Sequence, residues 1–205
     1  MLSRPGPLPS GSGWSFELKW DGFRAIVSTE DDLRVRSRRG WNMTTALPEL
    51  RGLPGGLVLD GELVAWKGSE PYFPHICRRV LNWDMSIPLT FIVFDLLRLD
   101  GTDVTGRPYS ERRKLLEDLE LNSWWWRTGD TFSDGDALFS SVCAMGLEGV
   151  VAKKRSSRYR PGDRGWIKVK NPSYWRRGSE REAMQRSAKR RSARGRSPST
   201  RLVPI

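Results

Sequence analysis

A chain of 205 residues has room for one domain, or for one domain and a tail. Apolar residues make up 38% of it, with 10 tryptophans, so it can build a core. No apolar run approaches membrane-spanning length and no charged-then-apolar leader opens the chain, which reads as soluble, cytoplasmic and without a membrane partner. Cys77, Cys143 and a single histidine exclude a four-ligand zinc site and suit a reducing compartment. The net charge of +11 is uneven: residues 171–205 hold 10 Lys+Arg against 2 Asp+Glu, and the preceding residues 25 against 22. The body is near balance, and the basic tail points to a polyanion.

Residues 1–13 are rich in Pro, Gly and Ser and read as an extended lead-in. From Trp14 to Trp20 apolar and polar residues alternate, which is strand periodicity. Alternation puts Glu17 and Lys19 on one face and Trp14, Phe16 and Leu18 on the other. Next comes the densest charged stretch, Lys19-Trp20-Asp21-Gly22-Phe23-Arg24, set between apolar arms. Lysine is rarely buried without a partner. If apolar neighbours carry Lys19 inside, lost hydration frees its amine to act as a nucleophile. Gly22 removes a side chain where backbone approaches a ligand. Arg24–Thr29 and Leu33–Arg38 are two further strands joined by the acidic turn 30–32, and Ser37-Arg38-Arg39-Gly40 closes the meander.

A short helix is predicted over Thr45–Arg51, broken by Pro54-Gly55-Gly56. Leu57–Trp66 reads as an apolar strand pair with Asp60 and Glu62 at its centre, where carboxylates need a reason to be. Taken alone, Asp60-Gly61 favours a β-turn. Residues 73–84 are helical, and His75 is assigned no role. Leu89–Leu99 is a buried strand ending at the turn Asp100-Gly101. A helix runs from a Ser110 cap to about Leu119. Trp124-Trp125-Trp126 is either a stacking platform for bases or a strand with core and surface tryptophans, and the strand propensity of Trp favours the second. Asp134–Gly146 is an amphipathic helix, 147–154 a strand with Glu148 at one end and Lys153 and Lys154 at the other. Trp166–Lys170 is a short strand placing Lys168 and Lys170 on one face. After Trp175 apolar periodicity fades, and most of 171–205 is expected to be disordered.

Lys19, Arg24, Arg38, Glu62, Glu148, Lys153, Lys168 and Lys170 all lie on or beside apolar strands. The mix suits a nucleoside triphosphate with a divalent metal: cations neutralise phosphate oxygens, and carboxylates hold Mg²⁺ or ribose hydroxyls. No GxxxxGK[ST] loop is present, so side chains must hold the phosphates.

In this order the motifs resemble those of the covalent nucleotidyltransferases, above all bacterial ATP-dependent DNA ligases. KxDGxR matches Lys19–Arg24, SRxG matches Ser37–Gly40, and DGE matches Asp60–Glu62. FD matches Phe94-Asp95, EGxxxK matches Glu148–Lys153, and KxK matches Lys168–Lys170. The resemblance implies an α+β fold: antiparallel β-sheets with flanking helices in a DNA ligase adenylation domain over 14–170, with the nucleotide between the sheets. It implies that Lys19 attacks the α-phosphate of ATP and forms a lysyl–AMP, which passes to the 5′-phosphate of nicked duplex DNA. It implies that Glu17 faces the adenine amino group, Arg24 and Glu62 the ribose, and that Phe94 stacks on adenine. Glu148 supports Mg²⁺ or Mn²⁺, Lys168 and Lys170 contact the α-phosphate, and Lys153 helps hold the nucleotide. Arg38 lies near the nucleotide phosphate or the DNA 5′-phosphate.

In the family an OB-fold barrel follows KxK, and 35 Arg/Ser-rich residues cannot build one. A protein partner is one source of that DNA clamp. The tail is another, with Arg176 and Arg177 among its phosphate contacts. The alternatives are a non-catalytic nucleic-acid-binding module derived from a ligase domain, and an RNA ligase or capping-type nucleotidyltransferase sharing KxDG.

Overall fold

The computed structural model describes residues 1–175. Arg176, Arg177 and the rest of the basic tail lie outside the described residues. All elements below belong to the unit Met1–Asn171, one of two into which the chain divides. Among the described residues no helix is long and apolar enough to cross a membrane.

In chain order the strands and helices are β1 (Ser3–Pro5), β2 (Trp14–Leu18), β3 (Phe23–Ser28), β4 (Arg34–Ser37), β5 (Leu57–Lys67), β6 (Glu70–Pro71), α1 (Phe73–Leu81) and β7 (Leu89–Leu99). They continue with β8 (Thr102–Asp103), α2 (Tyr109–Asp118), β9 (Trp126–Thr128), α3 (Gly135–Ala144), β10 (Gly149–Lys154) and β11 (Trp166–Lys170). A small sheet has the order β1-β11-β10-β2, and a larger one runs β4-β3-β5-β7-β8 with β6 on β5 and β9 on β7. The pairing is antiparallel except for β1 on β11 and β9 on β7.

The large sheet buries Ala25, Val27, Val35, Leu59, Leu63 and Phe91 on one face, in a core shared with α1 (Ile76, Val80) and α2 (Leu116). The small sheet packs Phe16, Val150, Ala152 and Ile167 against Leu138 and Val142 of α3. The opposite faces of the two sheets meet in a third cluster, where Tyr159 and Trp166 pack with Leu97, Phe94, Ile26 and Val58. Strand alternation explains this partition. On β2 and β10 the apolar residues point to α3, so Glu17 and Lys153 point into the seam between the sheets.

Four local expectations need correction. The lead-in holds β1, whose Ser3 pairs with Trp166. The helix predicted over 45–51 is two 3₁₀ turns, Thr44–Ala46 and Pro48–Gly52, because Pro48 has no N–H to continue the first. Leu57–Trp66 is not a strand pair: β5 is one 11-residue strand, with register shifts at Val58/Leu59 and Asp60/Gly61. A Cβ on Gly61 would lie 2.4 Å from the Phe91 ring, so this glycine serves close approach of β7 rather than a turn. Ser110 is not a cap. The helix starts at Tyr109, and its first N–H groups donate to Ser157 O at 2.7 Å and Arg155 O at 3.0 Å. Of the three tryptophans, Trp126 packs on the main core and Trp124 is 90% exposed.

Candidate active site

Lys19 follows directly on β2, and its N–H donates to Gly149 O at 2.8 Å. Two glycines shape the surroundings. A Cβ on Gly22 would lie 2.1 Å from Leu63 O, and one on Gly149, where φ is +155°, would lie 2.2 Å from Val169 O. Only glycine lets the Lys19 loop lie against β5 and lets β10 start against β11.

The Lys19 Nζ donates to Glu148 Oε2 at 2.7 Å, and Lys170 Nζ lies 3.1 Å from Glu148 Oε1. Glu148 is buried. Lys168 stands close by. Lost hydration lowers its pKa first, and Lys19, Lys170 and Arg38 lower it further, against the pull of Glu148. Two ammonium groups therefore hold one carboxylate, with Lys168 beside them and the Arg38 guanidinium within electrostatic reach of Lys168. That surplus of positive charge suits a polyanion such as a triphosphate.

Deeper in the seam, Glu17 Oε1 receives two hydrogen bonds, from Lys153 Nζ at 2.7 Å and from the Tyr109 hydroxyl. Burial first, then Glu17, pushes the Tyr109 pKa well above its ordinary value, so the phenol stays a donor. Lys153 also donates to Phe94 O at 2.9 Å and lies over the rings of Trp166 and Phe94, 4.3 Å and 4.5 Å from their centroids. Burial lowers its pKa, and Glu17 and Asp95 oppose that. Both of these bonds to Glu17 fall on Oε1.

Arg24 grips Asp60 with Nε and Nη2, and the Tyr159 hydroxyl donates to the same carboxylate at 2.8 Å. Burial works against the Arg24 charge, but the hydrogen bonds and charge of Asp60 more than offset it. The guanidinium stacks 5.2 Å from the Trp166 ring and 5.5 Å from Phe94. Glu62 has the reverse balance. Desolvation pushes its pKa up to about 8, against Lys19 and Arg24 and with help from Glu148 and Asp60. Its carboxyl therefore holds a proton near neutrality.

The seam thus gathers Glu17, Lys19, Arg24, Glu62, Phe94, Glu148, Lys153, Lys168 and Lys170 from both sheets. Arg38 stays exposed at the end of β4, within electrostatic reach of Lys168. Sequence reasoning missed Tyr109, Tyr159 and Trp166, which have no motif spacing. It gave no role to Asp60, although Asp60 lies inside the DGE element. His75 Nδ1 sits 2.8 Å from Trp66 O, away from these groups.

Residues 9–170 match the ATP dependent DNA ligase domain family. The multifunctional non-homologous end joining DNA repair protein LigD of Mycobacterium tuberculosis is 40% identical over 183 residues, covering 83% of this chain and 24% of that protein. The SPbeta prophage-derived DNA ligase-like protein LigB of Bacillus subtilis is 35% identical over 165 residues, covering 77% of this chain and 61% of LigB. Among solved structures, the ligase domain of M. tuberculosis LigD aligns with a TM-score of 0.72 at 36% identity, covering 82% of this chain and 58% of that one. A mycobacterial DNA ligase D complexed with ATP and MES aligns with a TM-score of 0.71 at 36% identity, with the same coverage of 82% and 58%. The chain thus spans about a quarter of the LigD protein.

Proposed function

The chain belongs to the ATP dependent DNA ligase domain family, and from that premise we propose that it adenylates itself on Lys19 and passes AMP to the 5′-phosphate of a nick in duplex DNA. One observation carries this reading: Lys19 of KxDGxR holds Glu148 at 2.7 Å, with Lys170 on the same carboxylate and Lys168 close by.

In the first step the Lys19 Nζ lone pair attacks the α-phosphorus of ATP. The N–P bond forms, and the bond from phosphorus to the pyrophosphate oxygen breaks. Glu148, hydrogen-bonded to Nζ, takes one proton from the ammonium and so frees the lone pair before attack, and the second Nζ proton leaves with pyrophosphate. Lys168 and Lys170 neutralise the charge on the α-phosphate. Phe94 stacks on adenine, Glu17 accepts from its amino group, and Arg24 and Glu62 hold the ribose. Lys153 acts through Glu17 and the Phe94 carbonyl. A 5′-phosphate oxygen of DNA then attacks the lysyl–AMP, the P–N bond breaks, and Lys19 regains its proton. Attack of the 3′-hydroxyl on that phosphate seals the strand and expels AMP. Residues 14–170 carry these steps, and residues 171–205, with Arg176 and Arg177, add non-specific phosphate contacts.

Among the described residues no three His, Cys, Asp or Glu side chains gather as a metal cage. Mg²⁺ needs no such cage: it takes one or two carboxylates, with water and substrate phosphates completing its shell. Glu148 offers hard oxygen donors beside the phosphate-facing lysines, which fits Mg²⁺ or Mn²⁺. When bound, the metal supplies charge neutralisation at the phosphates.

The experiment is labelling with α-³²P-ATP and Mg²⁺. Lys19→Ala is expected to take up no label and to melt like the wild type. Label retained in that variant contradicts Lys19 as the nucleophile.

A further inference from the structure

β4 is the outer strand of the large sheet. Its register on β3 pairs Val35 with Val27, Arg36 with Ile26 and Arg34 with Ser28. Val27 and Val35 belong to the main core, whereas Ile26 packs in the seam cluster beside Tyr159 and Trp166. Cross-strand partners share a face. Arg34 and Arg36 therefore lie on the seam face, and Arg38 follows in the turn that ends β4. All three are exposed, as is Arg39 in the turn that follows.

Little holds these cations in place. Arg34 reaches Asp31 at 3.9 Å between two exposed side chains, and Arg36 Nη1 donates to Gly40 O at 3.3 Å. Exposed pairs of this kind are worth little. Arg38 and Arg39 make no side-chain hydrogen bond or ion pair among the described residues. Alternate residues on a strand stand about 6.8 Å apart, which spaces Arg34 from Arg36, and Arg38 and Arg39 extend the row in the turn beyond. It starts beside Lys168 and runs outward along the sheet edge.

We propose that Arg34, Arg36, Arg38 and Arg39 form a rail for the phosphate backbone of duplex DNA, leading from the nick at Lys19 to the outer edge of the large sheet. The inference rests on the ligase reading and names the surface that grips its substrate. A guanidinium contacts phosphate bidentately and carries no sequence information, so the rail is indifferent to base sequence.

The test is the triple variant R34Q/R36Q/R39Q of the full chain. Arg38 is left in place because it stands within electrostatic reach of Lys168 at the nucleotide site. Binding of a nicked DNA duplex is measured across a salt series, alongside self-adenylation by ATP without DNA. Each phosphate contact adds about 0.9 to the slope of log K against log salt, so the slope should fall by about 2.7. Affinity at low salt should drop about tenfold, equally for unrelated sequences. Self-adenylation and melting temperature should not change. Unchanged affinity and slope, with adenylation intact, overturn the rail and leave the arginines as charges that guard a sheet edge against pairing. A wild-type protein that takes up no AMP contradicts the ligase reading instead.

Discussion

Glu62 loses hydration without gaining a hydrogen bond among the described residues, and its pKa rises from 4.5 to about 8. A carboxyl raised in this way binds its proton more tightly in the folded state. Between pH 4.5 and about 8 the unfolded chain gives that proton up while the folded chain keeps it, so stability falls as pH rises through this window and levels off above it. Glu62→Gln mimics the protonated form. It should melt higher than the wild type at pH 9, by roughly 1–2 kcal/mol of stability, with little difference at pH 5. Melting curves at the two pH values check this, and a variant equally destabilised at both contradicts it. Tyr109 supplies the second test. Tyr109→Phe leaves Glu17 with Lys153 alone, freeing the carboxylate to turn. The KM for ATP should rise roughly threefold to tenfold, a loss of about 1 kcal/mol. Purine riboside triphosphate, which lacks the amino group, should show no such rise. Equal losses for both nucleotides would mean that Tyr109 only supports packing. Apart from Glu17, which strand alternation placed, the charged residues of the seam were legible as a group because they occupy fixed offsets in motifs. Tyr109 was not, because it meets Glu17 from a helix 92 residues away, and no local spacing announces that contact.

Elements with strict periodicity were readable, and those decided by distant partners were not. Leu89–Leu99 is one buried strand in both sequence and structure. Alternation likewise puts Glu17 on the seam face of β2, and Lys168 and Lys170 on one face of β11. Asp60-Gly61 misled because a two-residue turn signal is local, whereas the long pairing of β5 with β7 spans the segment and overrides it. The Ser110 cap failed for the same reason: backbone carbonyls of Arg155 and Ser157 already take the first N–H groups of α2. Gly149 gives this scale its prediction. Its Cβ would lie 2.2 Å from Val169 O at a backbone angle that suits glycine. Gly149→Ala should push β10 from β11, part Glu148 from Lys170, and cost about 2–4 kcal/mol. Thermal melting and self-adenylation should both fall. A variant that melts like the wild type contradicts the requirement for close approach.

Taken whole, the molecule is two sheets, each with its own apolar core, whose remaining faces meet in a polar and aromatic seam. The α+β class was legible, but the strand count was not: β1, β6 and β8 went unread, and β5 was read as a pair. More than one sheet was expected from the motif resemblance, but the parallel pairing of β1 and β9 was not, because these short edge strands join partners far along the chain. The small sheet brings Lys19 and Lys170 onto Glu148, with Lys168 close by; in the proposed reaction a triphosphate enters here, and Lys19 keeps AMP until a DNA end removes it. Intact-protein mass spectrometry of the wild-type chain tests that claim most directly. After incubation with ATP and Mg²⁺ the protein should gain the mass of one AMP, and adding nicked duplex DNA should return it to its starting mass as sealed strand appears. A protein that gains no AMP under these conditions contradicts the account.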